Sequence, residues 1–372
     1  MNDKILHIVC FDVPYPVTHG GFFDLFYKLK SLHEAGIEIY LHCFKYGRKP
    51  QNELNKYCKE VHYYSRKKTK GLSVKLPYIV ASRINKNLFK RLSADNNSIL
   101  LEGTHCTYLL YRNLFPNRKV IFRLHNIEHI YYGQLFKWEK NLFKKLYYSF
   151  ESNALKKYER KVAPNAFITL PVAQNDVINF KQYCPEANIQ YLPLFTPFTE
   201  IKSLTGNSDY ILYHGNLSIA ENQQTVYWML KELLPLKMRL VIAGRNPPRK
   251  LANFINKFEN AKLITNPPDD ELAILIQEAH INIILAFNKT GIKLKLLHAL
   301  YAGRHCIANS NAVINEVFEP LCHVADTAKE IKELISNLSE LPFTTKEIEQ
   351  RESLLLDHFN NKKNAQMLSN LI

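Results

Sequence analysis

Lys289–Gly303 reads KTGIKLKLLHALYAG, with Lys293 and Lys295 just behind Thr290-Gly291. Thr290 could cap a helix and leave unpaired backbone N–H groups behind it. The helix dipole opposes cations at a helix N-terminus unless an anion binds there. A diphosphate beside Lys295 would account for the placement; a plain surface lysine pair is the competing reading. His298 follows Lys295 by one turn, so the two lie near one helical face. Gly215-Asn216-Leu217-Ser218 has the composition of a strand-to-helix turn that offers amides to a phosphate, or simply of a tight turn. Gly20-Gly21 allows the same two readings. His125-Asn126, with Glu128 and His129 beyond, follows an apolar run, and Glu102-Gly103-Thr104-His105 follows another. A histidine at a strand end can bond sugar hydroxyls or tune a proton, or can be a loop residue with no such role.

These residues need strands and helices to hold them, and the apolar pattern supplies both. Ile5–Phe11 is a continuous apolar strand. A Pro/Gly loop and an amphipathic helix over Phe22–Ala35 follow, stopped at Gly36, and Ile37–Phe44 is the next strand. Further strands are predicted at 61–64, 99–101, 120–124 and 166–170, with one long helix over 134–162. A proline-rich passage from Pro193 to Ser208 reads as a linker. The alternation then restarts: strands at 210–214, 239–243, 261–264, 281–286 and 305–309, helices at 223–233, 251–258, 269–278, 292–301, 327–338 and 345–371. Such repetition predicts an α/β chain of two doubly wound parallel-sheet domains, with ligands beyond the strand C-terminal ends.

Composition narrows the function. The 372 residues are 46% hydrophobic and 22% charged, which excludes a disordered or fibrous chain. Seven scattered cysteines without a C-x-x-C pair predict reduced thiols rather than a disulfide or zinc framework. Neither a transmembrane run nor a signal-peptide pattern is read, which predicts a cytoplasmic protein. Net charge is +15 and uneven: residues 1–200 hold 30 Lys and Arg against 16 Asp and Glu, the remainder 19 against 18. A basic first half suggests a polyanionic partner, or a lysine-rich surface and no more. Within 134–162, lysines interleave with Trp138, Leu142, Phe143, Leu146, Tyr147 and Phe150, as in an interfacial membrane helix or a core helix with snorkelling lysines. Arg66–Lys70 is a second basic cluster.

The segments HIVCFDVPYPVTHGGFFDLFYKLKSLHEAGIEIYLHCF, FRLHNIEH, ILYHGNLSIAEN, LVIAG and TGIKLKLLHALYAGRHCIANS resemble, in order and spacing, a retaining GT-B-fold glycosyltransferase of the glycogen-synthase-like group, family 4. The resemblance implies two Rossmann-like domains facing a cleft: 1–195 for the acceptor, 196–345 for the nucleotide sugar, and a C-terminal helix in 346–372 that packs back on the first. By position it makes His125 and Lys295 the catalytic pair, at the donor sugar and the diphosphate. Gly20, Gly21, Gly215, Asn216, Ser218, Thr290, Gly291, Ile292, Lys293 and His298 fall on the donor side. Asp24, Glu102, His105, Asn126 and Glu128 fall on the acceptor side. Thr290 and His298 stand where the family carries a glutamate pair, Asn216 where it carries a phosphate-binding arginine, and Asn222 where a lysine usually follows.

The reading is therefore a divergent, metal-independent glycosyltransferase with no required cofactor, using a nucleotide-diphosphate sugar and a glycan or lipid-linked glycan acceptor in cell-surface polysaccharide synthesis. Peripheral contact with an anionic membrane follows from the charge. A non-catalytic glycan or nucleotide-sugar binder is the alternative suggested by the replaced glutamates. A nucleic-acid partner is not expected, because no DNA- or RNA-binding signature accompanies the charge.

Overall fold

The computed structural model describes residues 4–17, 20–67, 76–287 and 289–372. The chain forms two compact units, Met1–Pro197 with Phe359–Ile372, and Phe198–His358. Lys68–Lys70 of the second basic cluster lie outside the described residues.

In the first unit β1 (Ile5–Cys10), β2 (Glu38–Lys45), β3 (Glu60–Ser65), β4 (Ser98–Glu102), β5 (Val120–Leu124) and β6 (Ile168–Pro171) form one parallel sheet in the order β3-β2-β1-β4-β5-β6. The order reverses between β1 and β4, where a doubly wound sheet opens a crevice at its C-terminal edge. Alternate residues feed opposite cores: Val9, Ile99, Leu101 and Phe122 on one face, Leu6, Ile8, Leu100 and Ile121 on the other.

α1 (Gly20–Glu34) buries Phe22, Leu25, Leu29 and Leu32 at three- and four-residue spacing. Each fully buried leucine contributes on the order of 2 kcal/mol. Gly36, at φ +77°, turns the chain into β2. Then come α2 (Tyr78–Ala81), α3 (Lys86–Leu92), α4 (Tyr108–Tyr111), α5 (Glu128–Trp138), α6 (Leu142–Val162) and α7 (Gln174–Tyr183). The single helix expected over 134–162 is in fact α5 and α6. Glu139 turns extended, and Asn141 caps α6 by accepting from the N–H groups of Phe143 and Lys144. Glu151 of α6 accepts from the N–H groups of Tyr78 and Ile79, both at 3.0 Å, which caps α2.

The second unit repeats the plan with β7 (Tyr210–Asn216), β8 (Arg239–Arg245), β9 (Ala261–Thr265), β10 (Ile281–Ile284), β11 (His305–Ala308) and β12 (His323–Val324), all parallel, in the order β12-β11-β10-β7-β8-β9. Its helices are α8 (Ala220–Glu232), α9 (Arg249–Ile255), α10 (Asp269–Glu278), α11 (Leu294–Ala302), α12 (Ala328–Leu338) and α13 (Thr345–Arg351). The helix expected over 345–371 is broken. α13 ends in a π turn over Glu352–Leu356, and Asn360 caps a separate helix, Asn361–Ser369, whose Ala365 and Leu368 join the α1 core of the first unit. All seven cysteines are free thiols.

Candidate active site

In the first unit the polar residues gather where β4 and β5 end beside α1. Asp24 and Lys28 are one helical turn apart on the core face of α1, and both are fully buried. Glu102 closes β4 and is in register with Arg123 of β5. The Lys28 ammonium donates to Asp24 at 2.8 Å and to Glu102 at 2.6 Å. Arg123 grips Asp24 through Nε at 3.0 Å and Nη2 at 2.8 Å. Its remaining N–H groups go to the carbonyls of Leu170, Leu192 and Pro193, and Asp24 also accepts from Phe195 N–H at 3.0 Å. Burial works to raise the Asp24 carboxyl, but Arg123 and Lys28 outweigh it and hold the group well below the usual carboxylate range. Burial likewise opposes ionisation of Glu102, and Lys28 and His125 reverse that too.

His125 lies just past β5. Its Nε2 is 2.7 Å from Glu102 Oε2, and its Nδ1 is 3.9 Å from Asp24. An ionised Glu102 can only accept, so Nε2 carries the proton, an assignment made from the bonding pattern. The ligand atoms of Asp24, Glu102 and His125 lie within 4.8 Å of one another, close enough for a metal set. The Lys28 ammonium is bonded to both carboxylates of that set.

An aromatic wall adjoins His125. The Phe11 ring stacks on Phe22 at 5.5 Å, tilts against His105 at 5.4 Å and meets His125 edge-on at 6.0 Å. Gly20 and Gly21 are the first turn of α1, not a loop ahead of it. A Cβ on Gly21 would come within 2.9 Å of the Phe11 ring, so this glycine lets α1 lie close to the residue that follows β1. Gly103, at φ +72°, turns the chain after β4 and lies beside His105.

His105 itself is buried, its Nδ1 has no hydrogen-bond partner, and burial pushes it well below its ordinary value. It is a neutral ring packed on Phe11. Glu128 opens α5. Burial, then Glu159, raises it to about 8. Its own N–H donates to Glu159, which His129 also contacts at 2.7 Å. Asn126 is half-buried on the turn between His125 and α5.

In the second unit the anticipated residues converge at the end of β7 and the start of α11. Lys295, in the first turn of α11, donates to the Leu285 carbonyl at 2.9 Å and sits 5.0 Å over the Tyr213 ring. Burial lowers its ammonium to about 8, against a smaller opposing pull from Glu221. His214 on β7 is buried with Nε2 lacking a hydrogen-bond partner. Burial, with His298 and Lys295 adding to it, brings that ring down to about 3. Burial also lowers His298, which packs edge-on against Phe198 at 5.0 Å.

Thr290 does not cap α11. The cap position is Lys293, whose ammonium donates to the carbonyls of Thr290 at 2.6 Å and Gly291 at 3.0 Å. The lysine thus wraps the turn that carries Thr290, Gly291 and Ile292, which answers its unfavourable place by the helix dipole. Asn216 folds its side chain onto Ser218, accepting from the backbone N–H at 3.0 Å and the hydroxyl at 2.7 Å. Asn222 donates to the Asn216 carbonyl and accepts from the Tyr213 hydroxyl. A Cβ on Gly244 would lie 2.2 Å from the Gly215 carbonyl, so the glycine of LVIAG is what lets β8 approach the turn.

Lys28, Arg123, Phe11 and His214 were not anticipated as site residues. The first two had a visible signal, a charge at a core-facing position of a helix and inside a buried apolar strand.

Residues 208–340 match the family model of the Glycosyl transferases group 1. A Klebsiella pneumoniae protein described as an uncharacterized 44.6 kDa protein in the cps region is 28% identical over 315 residues, 79% of each chain. Among solved structures, Anabaena HepE in complex with UDP-glucose is similar over 98% of both chains, with 11% identity and a TM-score of 0.66. The α,α-trehalose 6-phosphate synthase of Burkholderia multivorans is similar over 100% of this chain and 96% of its own, with 10% identity and a TM-score of 0.62. The two six-stranded parallel sheets are those of the GT-B fold, and residues 208–340 carry the likeness to the group 1 glycosyltransferases.

Proposed function

We propose that the protein transfers a sugar from a nucleotide-diphosphate donor to a glycan or lipid-linked glycan, with retention of anomeric configuration and without a required metal. The observation that carries this reading is the His214–Lys295–His298 cluster inside the segment matched to the group 1 family. A partly buried ammonium bonded to a carbonyl rather than a carboxylate is a receptive partner for an anion, and diphosphate is the anion a sugar nucleotide leaves behind. In the proposed step the bond from the anomeric carbon to the phosphate oxygen breaks, and its electron pair stays on the diphosphate. The acceptor hydroxyl forms the new bond on the same face and gives its proton to the departing oxygen. Lys295 stabilises that charge. His125, fixed by Glu102, serves the sugar. The bound UDP-glucose of the Anabaena neighbour and the cps-region setting of the Klebsiella relative support a nucleotide sugar and a capsule or related surface polysaccharide.

A melting screen against UDP, GDP, ADP, CMP and dTDP with their sugars tests this. A ligand at about 100 times its Kd stabilises by about 2.7 kcal/mol. One nucleotide class raising the melting temperature, with the rise lost in Lys295→Ala, is the expected result. No response to any of them would overturn the donor assignment and favour a glycan-binding role.

A further inference from the structure

We infer that the tip of the α5–α6 hairpin is a docking element for the surface of an anionic bilayer. Leu142, Phe143, Leu146 and Phe150 are 74%, 85%, 57% and 74% exposed. At about 100° per residue they share an arc of about 100° on α6. The same helix buries Glu151, Leu155, Tyr158 and Val162 in the first unit, so its core contacts come from other residues. Four large side chains left in solvent on one face exceed the scattered apolar exposure of an ordinary surface. No helix among the described residues is long and apolar enough to cross a membrane, so the face fits insertion at an interface rather than a span.

Charge selects the occupant. Lys137, Lys140, Lys144 and Lys145 surround the tip against one acid, Glu139. Lys137, Lys140 and Lys144 are exposed, and Lys145 lies 5.1 Å over the Phe136 ring. Cations ringing an apolar face match anionic headgroups above acyl chains. The same ring of like charge opposes a second copy packing tip to tip.

The inference goes beyond sugar transfer and stands without it, because vesicle binding needs no donor. The test is flotation of the full chain with vesicles of phosphatidylcholine alone or mixed with phosphatidylglycerol, at low and high salt. The expected result is recovery with the anionic vesicles at low salt, and loss with high salt or phosphatidylcholine alone. Phe143→Asp/Phe150→Asp should cut recovery by about tenfold or more while the melting temperature and its nucleotide response stay put. Lys137→Gln/Lys140→Gln/Lys144→Gln should remove the salt-sensitive part. No recovery of the wild type on anionic vesicles, or equal recovery of the aspartate variant, overturns the inference. So does a dimer in light scattering that the aspartate variant dissolves without any vesicle binding, which would reassign the face to a second copy.

Discussion

The two units solve opposite electrostatic problems with the same kind of six-stranded parallel sheet. In the first, Asp24, Glu102, Lys28 and Arg123 neutralise one another within hydrogen-bonding reach. In the second, Lys295 rests on a carbonyl and a tyrosine ring, beside two histidines kept neutral by burial. A closed network leaves nothing for a ligand to neutralise, so it acts as a frame that holds His125. An open cationic cluster gains most when an anion arrives. The difference teaches that buried charge near a strand end is not by itself a binding site; whether its partner is already present decides.

The largest effect that could break this contrast is on stability. Arg123→Met leaves Asp24 buried without its main cation and should cost about 3–5 kcal/mol, read from denaturant melts. Asp24→Leu added to it should restore part of the loss. Lys295→Met should cost far less stability or none, since it removes a desolvated cation whose hydrogen bond goes to a carbonyl rather than a carboxylate. Its expected penalty is on nucleotide-diphosphate affinity, about 100-fold or more by titration calorimetry. If the two substitutions destabilise alike, the second cluster is a structural pair in disguise and the contrast fails.

Acid should sharpen the comparison. His214 has a folded value near 3, below the ordinary 6.5 of the unfolded chain. Above pH 6.5 neither state is protonated and the ring makes no pH-dependent contribution. As pH falls from 6.5 towards 3 the unfolded state binds the proton first, so stability declines by up to about 1.4 kcal/mol per pH unit for this one group. His214→Phe should flatten that part of the stability–pH curve. An unchanged curve would mean the ring is not buried neutral, and the second cluster would not be a low-dielectric site.

How much of this was legible depends on whether the signal was local. The strands of both sheets announce themselves as apolar runs, and 120–124 and 269–278 have the boundaries read from pattern alone. The break between α5 and α6 did not, because Lys140-Asn141 interrupts neither the lysines nor the aromatics, and a side-chain cap rather than a proline ends the run. β12 is two residues long and is a strand only because β11 lies beside it. Of the site, His125, Glu102, Lys295 and His298 could be named from strand ends and helix spacing. Their bonding could not: Asp24 and Glu102 are 78 residues apart in sequence, and only the sheet order brings β4 and α1 together around Lys28.

The smallest effect tests the contrast by addition. Asn216 is exposed, and its side chain is spent on Ser218. Asn216→Arg places a cation at the end of β7, beside the strand residue His214 of the second cluster. Losing the Asn216 bonds at an exposed turn should move stability by no more than about 0.5–1 kcal/mol. If the second unit is the open anion site, the added charge should tighten nucleotide-diphosphate binding by roughly threefold to tenfold at low salt, with the gain fading as salt rises. The same substitution should leave uncharged sugars unaffected, because it adds charge and no shape. A gain for the nucleoside as large as for its diphosphate would show that the turn meets the base or ribose. The phosphate-binding role would then pass to the Thr290–Lys295 segment alone.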